Sequence, residues 1–340
     1  MAEGTVVYVS ESGHQRIAVF ALDEEKAELR RIGEVALEGE PGPLAVSADK
    51  RHLYASVRSV RQFATLAIDA GTGLLSVVAT APAAGSAPYI HPDATGRWLL
   101  AVYYGEGLVS VSPITKEGVV AEAPLQVLDI GAKAHCIVTD PANRFAFCPH
   151  PMDLNCVDQF RFDVEKGELI LNDPPTMAGE KGAGPRHLKF HPNGQWAYVV
   201  NEQGKSVTFC HYDAEKGLLE RRQTLSTHPK DWDPDKGSCA EIQISSDGRF
   251  VYASNRGHES IASFSIDPAS GELSELERTP TEKTPRSFDL MPGERFVVVA
   301  GQGEGRLALY RRDVEAGRLV RAQTLDCGKS PAWVTGLRLP

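Results

Sequence analysis

The feature that most constrains the fold is a phrase that recurs along the whole chain: an apolar strand, a turn, a second strand and a closing step that reads Gly-x-Leu in most copies. Seven copies occur, and they end at Leu29, Leu75, Val120, Leu169, Leu219, Leu273 and Leu319. Their spacing of roughly 45 to 55 residues is typical of one four-stranded blade of a β-propeller. Because so small a sheet cannot bury both of its faces alone, we expect the seven units to stack radially around a central channel.

The register of the repeat also predicts how the ring closes. The chain opens on the second strand of a blade, residues 5–10, and ends on an orphan first strand, residues 330–339, similar to the strands that begin at Pro185 and Pro285. The last segment should therefore complete the first blade. Strands rich in Val, Tyr, Phe and Ile, punctuated by 31 Gly and 22 Pro, leave no room for a run of amphipathic helices. The predicted fold class is all-β, a single seven-bladed β-propeller domain over residues 1–340.

The composition narrows the class of function. Acidic residues outnumber basic ones by 45 to 36, and the net charge of −9 disfavours nucleic acid or an anionic membrane as the main partner. No apolar stretch approaches the ~20 residues of a membrane span, and the first residues do not resemble a signal peptide. We expect a cytoplasmic protein that acts on a small molecule. We also expect a monomer, because a closed ring leaves no free sheet edge.

The sequence predicts neither a metal site nor a cofactor. The six cysteines are scattered without a CxxC pair, which is typical of reduced thiols. No Gly-rich phosphate loop follows a strand, and no His/Cys/Asp triad stands at the close spacing of metal ligands.

Comparison of equivalent positions in the copies predicts one functional face. Six residues beyond the first bulky residue of each second strand, at the strand's end, stand Ser12, Arg58, Tyr104, Pro151, Glu202, Arg256 and Gln302. Ten residues before the same anchor, at the start of the innermost strand, stand His135, Arg186, Ala240 and Arg286. Because the start of one strand lies beside the end of the next in an antiparallel hairpin, both sets should surround one mouth of the channel.

This mouth gathers three arginines, a carboxylate and an imidazole, a set that suits an anionic substrate and a base-catalysed step. An alternative is that Arg186 and Arg286, which share a Pro-Arg phrase, form ion pairs between blades. His187 should point to the opposite side of its strand from Arg186, because successive side chains alternate, and should support the site from behind. The insertion at residues 227–238 is either a lid over this face or an acidic solvated loop.

At these residues the sequence resembles a known family. GAGPRHLKFHPNGQWAYVVNEQGKSV, AEIQISSDGRFVYASNRGHESI, TPRSFDLMPGERFVVVAGQ and the terminal SPAWV are similar to the seven-bladed propeller lactonases, which include bacterial 6-phosphogluconolactonases and the fungal carboxy-cis,cis-muconate lactonizing enzyme. The resemblance covers nearly the whole chain and is specific in its second half. It implies an active site of one His, two Arg and one Glu, which match His135, Arg186, Arg256 and Glu202.

The resemblance implies a lactone hydrolase, in the first place a 6-phosphogluconolactonase of the pentose phosphate pathway acting on a small anionic lactone. Glu202 would be the general base, Arg186 and Arg256 would bind the oxyanion or a substrate anion, and His135 would protonate the leaving ring oxygen. The other residues expected to bind substrate are Arg286, His187, Gln302, Tyr104 and Arg58, with Lys181 or Lys205 beside Arg286 at the distal phosphate. The alternatives are another sugar lactonase, a carboxymuconate cyclase, or a non-enzymic binding platform.

Overall fold

The computed structural model describes residues 4–233 and 235–339 and contains seven four-stranded antiparallel sheets arranged as the blades of a propeller. The fold prediction is confirmed. Residues 1–3 and 340 of the predicted single domain, and Pro234 of the insertion, lie outside the described residues.

The strands of each blade are given from the innermost outwards. The first blade contains β28 (Pro331–Arg338), β1 (Thr5–Glu11), β2 (Arg16–Asp23) and β3 (Glu28–Ala36). The second contains β4 (Pro41–Val46), β5 (His52–Val57), β6 (Gln62–Ile68) and β7 (Leu75–Pro82). The third contains β8 (Tyr89–Pro92), β9 (Trp98–Tyr103), β10 (Leu108–Pro113) and β11 (Gln126–Asp129). The fourth contains β12 (Val138–Thr139), β13 (Phe145–His150), β14 (Cys156–Asp163) and β15 (Glu168–Ala178).

The last three blades follow the same order. The fifth contains β16 (Pro185–Phe190), β17 (Trp196–Asn201), β18 (Ser206–Asp213) and β19 (Leu218–Ser226). The sixth contains β20 (Ser238–Ile244), β21 (Phe250–Arg256), β22 (Ser260–Ile266) and β23 (Leu273–Pro280). The seventh contains β24 (Pro285–Leu290), β25 (Phe296–Gly301), β26 (Arg306–Arg312) and β27 (Leu319–Asp326). Within the described ranges the helical segments are the single 3-10 turns Ser12–His14 and Arg58–Val60, and no helix is long and apolar enough to cross a bilayer.

The ring closes as the register predicted, because β28 pairs antiparallel with β1 and becomes the innermost strand of the first blade. A buried carboxylate reinforces this closure. Glu11, at the end of β1, accepts a hydrogen bond from the backbone N–H of Gly328 at 2.8 Å and forms ion pairs with Arg16 and Arg31. The carboxylate thus joins the segment before β28 to the first blade.

The Gly-x-Leu steps are contacts between neighbouring blades, and this explains why they recur. Gly217 has a φ of +68°, and a Cβ there would stand 2.0 Å from the ring of Phe145, the first bulky residue of the preceding blade's second strand. The same contact recurs at Gly73, Gly118, Gly167, Gly271 and Gly317, which face Val6, His52, Trp98, Trp196 and Phe250. Four of these glycine carbonyls accept a hydrogen bond from a tyrosine of the preceding blade, at Tyr8, Tyr54, Tyr198 and Tyr252.

This packing predicts the cost of filling one such contact. Gly217→Ala should lower the free energy of unfolding by about 3 kcal/mol, because a left-handed non-glycine residue costs about 1 to 2 kcal/mol and overpacking against Phe145 adds to it. Gly194 is the matched control, because it has a φ of +69° but nothing lies within 4 Å of its added Cβ. Gly194→Ala should lose only about 1 to 2 kcal/mol. Urea denaturation measures both, and equal losses would contradict the packing argument.

Candidate active site at one mouth of the channel

The positions predicted to share one face lie at one end of the strands. The residues that end or directly follow the second strand of a blade include Arg58, Tyr104, Glu202, Arg256 and Gln302. Those at or just before the start of an innermost strand include His135, Arg186, His187 and Arg286. The two sets are adjacent, because the first residue of the innermost strand pairs with the last of the second, as Pro185 does with Asn201 and Ser238 with Arg256.

The centre of this mouth is a carboxylate held between two guanidinium groups. Oε1 of Glu202 accepts a hydrogen bond from Nη2 of Arg256 at 2.7 Å, and Oε2 lies 3.2 Å from Nε of Arg186. The Arg186 side chain is only 2% exposed, whereas that of Glu202 is 20% exposed. Burial, together with the nearby charge of Arg256, lowers the pKa of Arg186 to about 10, so the group remains charged at neutral pH.

Each of the two arginines also donates a hydrogen bond to a backbone carbonyl group of β20. Nη1 of Arg186 donates to the carbonyl of Ala240, and Nη2 of Arg256 donates to the carbonyl of Cys239 at 2.6 Å. Within the described part of the chain, Nε–H of Arg256 has no hydrogen-bond acceptor, and Nε of Arg186 has only its ion-pair contact with Oε2 of Glu202, which is not aligned as a hydrogen bond. Buried donors are normally satisfied, so the cluster has hydrogen-bonding capacity left for an anion.

The prediction that His187 points away from Arg186 is wrong, and a β-bulge is the reason. The pairing of β16 with β17 shifts register between Pro185 and His187, which leaves Arg186 as the extra residue. Alternation is therefore broken, and Nη1 of Arg186 lies 3.1 Å from Nε2 of His187. His187 is completely buried beneath the mouth, a position that suits support of the site better than direct contact with substrate.

A chain of hydrogen bonds runs from the mouth into the channel. Nδ1 of His135 lies 3.2 Å from Nε2 of His187, and Nδ1 of His187 lies 2.9 Å from Oε1 of Glu241. Burial, followed by the charge of Arg186, holds the pKa of both histidines well below its usual value. Burial raises the pKa of Glu241.

The sequence comparison missed Glu241, because it took the neighbouring Ala240 as the equivalent position. The pairing of β20 with β21 contains a second register shift, between Cys239 and Ile242, which displaces the expected alternation. A glutamate within the apolar phrase AEIQI was the available signal. Tyr104 lies beside this chain, with its ring edge-on to His135 at 5.6 Å between centroids.

Beside the cluster is a polar cavity of about 480 Å³, lined by residues of the first, second and seventh blades. Its lining includes the predicted residues Arg58, Arg286 and Gln302, together with Lys329. Burial, together with the charge of Arg186, lowers the pKa of Arg286 to about 9. The carboxylate of Glu40 and four serine hydroxyls, at Ser12, Ser59, Ser86 and Ser330, complete the polar lining.

Lys329 was also missed: it lines this cavity together with Arg286, beside which the sequence had suggested Lys181 or Lys205. Neither of those two lysines is among the described residues that line the cavity. The Lys329 side chain packs against Gly13, so that a Cβ added at Gly13 would stand 2.7 Å from Cγ of Lys329. Arg186 and Arg286 share a narrow gap with Trp333, so the cavity and the Glu202 cluster are neighbours. Two other cavities, of about 640 and 420 Å³, lie at turns between strands and lack such a set of cations.

The insertion borders the same mouth on the side of the sixth blade. Its last residue, Ser238, is the first residue of β20 and pairs with Arg256. Trp232 packs edge-on against His258 at 4.7 Å between ring centroids. The lid prediction remains a prediction, since this packing fits a fixed loop as well as a closing one.

Comparison with known proteins gives consistent results over the full chain. The profile described as "Lactonase, 7-bladed beta-propeller" matches residues 5–335. A protein of Serratia proteamaculans named 6-phosphogluconolactonase is 33% identical over 330 residues, covering 97% of this chain and 98% of its own. One of Pectobacterium carotovorum with the same name is 34% identical over 338 residues, covering 98% and 99%.

A solved structure agrees with these sequence relatives. The structure described as the periplasmic gluconolactonase PpgL of Pseudomonas aeruginosa superimposes with a TM-score of 0.89 at 27% identity, covering 99% of each chain. The profile match and the sequence relatives extend across all seven blades. The chain therefore belongs to the family of seven-bladed β-propeller lactonases.

Proposed function

We propose that this protein hydrolyses a phosphorylated sugar lactone, 6-phospho-D-glucono-1,5-lactone, to 6-phosphogluconate. The observation that carries the proposal is the juxtaposition at one mouth of the Arg186–Glu202–Arg256 cluster and a cavity with three further cations. The first provides a base and oxyanion donors, and the second provides a site for a distal anion. Relatives named 6-phosphogluconolactonase at 33–34% identity over nearly the whole chain support it.

In the proposed reaction, Glu202 removes a proton from a water molecule that attacks the lactone carbonyl. Arg186 and Arg256 then stabilise the tetrahedral oxyanion with their positive charges, and among the described residues Nε–H of Arg256 has no other acceptor. When the intermediate collapses, Glu202 returns the proton to the ring oxygen as the C–O bond breaks. The product carboxylic acid ionises and releases one proton to solvent, and the enzyme returns to its starting state.

The phosphate is proposed to bind in the cavity, between Arg58, Arg286 and Lys329. Guanidinium groups bind phosphate bidentately, and a lysine adds a point charge. Nε of Arg58 donates to the hydroxyl of Ser86 at 3.2 Å, which holds one of these groups in place. Gln302 and the serine hydroxyls lining the cavity would complete the ligand set.

A second candidate is hydrolysis of an unphosphorylated sugar lactone, favoured by the likeness to the structure named periplasmic gluconolactonase at 27% identity. This candidate gives the cations of the cavity no anion to bind, so we rank it second. The cytoplasmic location and the monomeric state stay predictions, and the periplasmic relative makes the first of these worth testing by fractionation.

The test is acid release in a pH-stat, with freshly made 6-phosphogluconolactone, glucono-1,5-lactone and a carboxymuconate, each corrected for spontaneous reaction. A clear preference in kcat/KM for the phosphorylated lactone is the expected result. Preference for gluconolactone would establish the second candidate, and turnover of the carboxymuconate would indicate a cyclase. Acceleration of none of the three would leave a binding platform.

A further inference from the structure

The buried histidine beneath the mouth is held in one tautomer from both sides. Oε1 of Glu241 accepts the backbone N–H of Ile242 at 3.0 Å and lies 2.9 Å from Nδ1 of His187. On the other side of the ring, Nη1 of Arg186 has only hydrogens to offer, so Nε2 of His187 must be an acceptor. Because the Arg186 contact leaves Nε2 without a hydrogen, the hydrogen of the neutral His187 ring is on Nδ1, where it faces Glu241.

The tautomer of His187 bears on the tautomer of the neighbouring histidine, His135. Nε2 of His187 has one lone pair, which faces both Nη1 of Arg186 at 3.1 Å and Nδ1 of His135 at 3.2 Å. A bare Nδ1 of His135 would set two lone pairs against each other, so the hydrogen of His135 is assigned to Nδ1, and the lone pair of His187 is shared between two donors. A neutral imidazole has one N–H, and that hydrogen is now used inside the protein. Nε2 of His135 is therefore an acceptor, which disagrees with the proton-donor role that the sequence suggested for this residue.

We propose that Glu241 and His187 are positioning residues that hold His135 as a hydrogen-bond acceptor for a hydroxyl group of the sugar lactone. The inference rests on the proposed function for the identity of the ligand, whereas the tautomer follows from the protein alone. In the mechanism above the proton of water travels through Glu202 to the ring oxygen, so no donation by His135 is required. A polyhydroxylated sugar ring offers several O–H donors for such an acceptor.

The charges around His135 favour the neutral acceptor over an imidazolium ion. Arg186, Arg286 and His187 all act on it, and each disfavours a further positive charge. On its outer side the ring contacts Tyr104, which Lys133 covers with its ammonium group 4.7 Å from the ring centroid. His135 as a whole is 6% exposed, so an O–H group bound to its ring would be largely removed from water. A hydrogen bond made there discriminates against ligands without the hydroxyl.

The first measurement reads the tautomers directly. One- and two-bond 1H–15N correlation spectra of the protein labelled with 15N-histidine, at pH 7, should show His135 and His187 as neutral rings with hydrogen on Nδ1 and a bare Nε2. The signals are assigned by their loss in His135→Gln and His187→Gln. Hydrogen on Nε2 of His135 in the wild-type protein would overturn the proposal, and this readout does not depend on any lactonase activity.

The second measurement links the tautomer to turnover through a pair of variants. Glu241→Leu leaves the buried Nδ1–H of His187 without an acceptor, so the ring should lose its fixed orientation and its contacts with Arg186 and His135. His135 should then become a mixture of tautomers, and kcat/KM for 6-phosphogluconolactone should fall by about 10- to 100-fold. Glu241→Gln keeps an oxygen facing both Ile242 N–H and His187, and should restore the single tautomer and most of the activity. A changed tautomer with unchanged kcat/KM would overturn the role of His135 as acceptor.

Asp289→Asn controls for the loss of a buried carboxyl group in the channel. Asp289 lines the same internal cavity as Glu241, and its Oδ2 accepts the N–H of Gly336 at 3.0 Å rather than a histidine. The variant should leave the His135 tautomer and kcat/KM unchanged. An equal loss of activity in Asp289→Asn would assign the effect of Glu241→Leu to general damage and overturn the proposal. A wild-type protein that hydrolyses no lactone would refute the proposed function separately, with the spectra still interpretable.

Discussion

Glu202→Gln is expected to lower kcat for the lactone by about 100- to 10,000-fold, the range that general acid–base catalysis contributes. The amide cannot take the proton of the attacking water. It also removes the negative charge that lies 2.7 Å from Arg256 and 3.2 Å from Arg186. KM should change less than kcat, because the cavity that binds the distal anion is not touched. Initial rates in the pH-stat at saturating lactone measure the effect.

The same change should also lower the stability of the protein, and this has to be separated from catalysis. Arg186 is almost completely buried, and a glutamine leaves it with a weaker partner, at a cost of about 1 to 3 kcal/mol. Rates should therefore be taken well below the melting temperature of the variant. Glu304→Gln, at an exposed glutamate in the turn after β25, is the control and should keep wild-type turnover. Turnover near the wild-type value in Glu202→Gln would remove this residue from the mechanism.

The blades could be predicted because each copy carries its own contact with the next one. A glycine such as Gly217 is required wherever the ring of the preceding blade, here Phe145, occupies the place of its Cβ. That requirement places a glycine at the equivalent turn of six of the seven copies, where the sequence alone shows it. The same regularity gave the position of Glu202 and Arg256, since the end of each second strand lies at a constant distance from its first bulky residue.

The parts of the site that were missed depend on departures from this regularity. The bulge at Arg186 turns His187 towards the cluster, and the register shift before Ile242 changes which residue of β20 reaches His187. A bulge leaves no residue pattern that a count of alternating side chains can detect. Lys329 was missed for a different reason. Its neighbours in the cavity come from blades far away in sequence, and only the closed ring brings them together.

Arg286→Ala is expected to lower kcat/KM for 6-phosphogluconolactone by about 10- to 100-fold, chiefly through KM, because charge-assisted hydrogen bonds contribute about 1.5 to 3 kcal/mol. The kcat/KM for glucono-1,5-lactone should hardly change, so the preference for the phosphorylated substrate should largely disappear. Lys329→Ala should act in the same direction but more weakly, since its exposed ammonium group is better screened by water and salt. Parallel assays of both lactones with each variant measure the change in preference.

Lys181→Ala is the matched control, because this exposed lysine was the sequence-based alternative and does not line the cavity in the described residues. It should leave the preference intact. If the preference for the phosphorylated lactone comes from the charge of Arg286, it should weaken as salt screens that charge. Added salt should therefore raise KM for the phosphorylated lactone in the wild-type protein, and raise it less in Arg286→Ala. A loss of kcat on both lactones in Arg286→Ala would instead place this arginine with Arg186 and Arg256 at the reacting carbonyl. In that case the distal phosphate would have to be held by Arg58 and Lys329 alone.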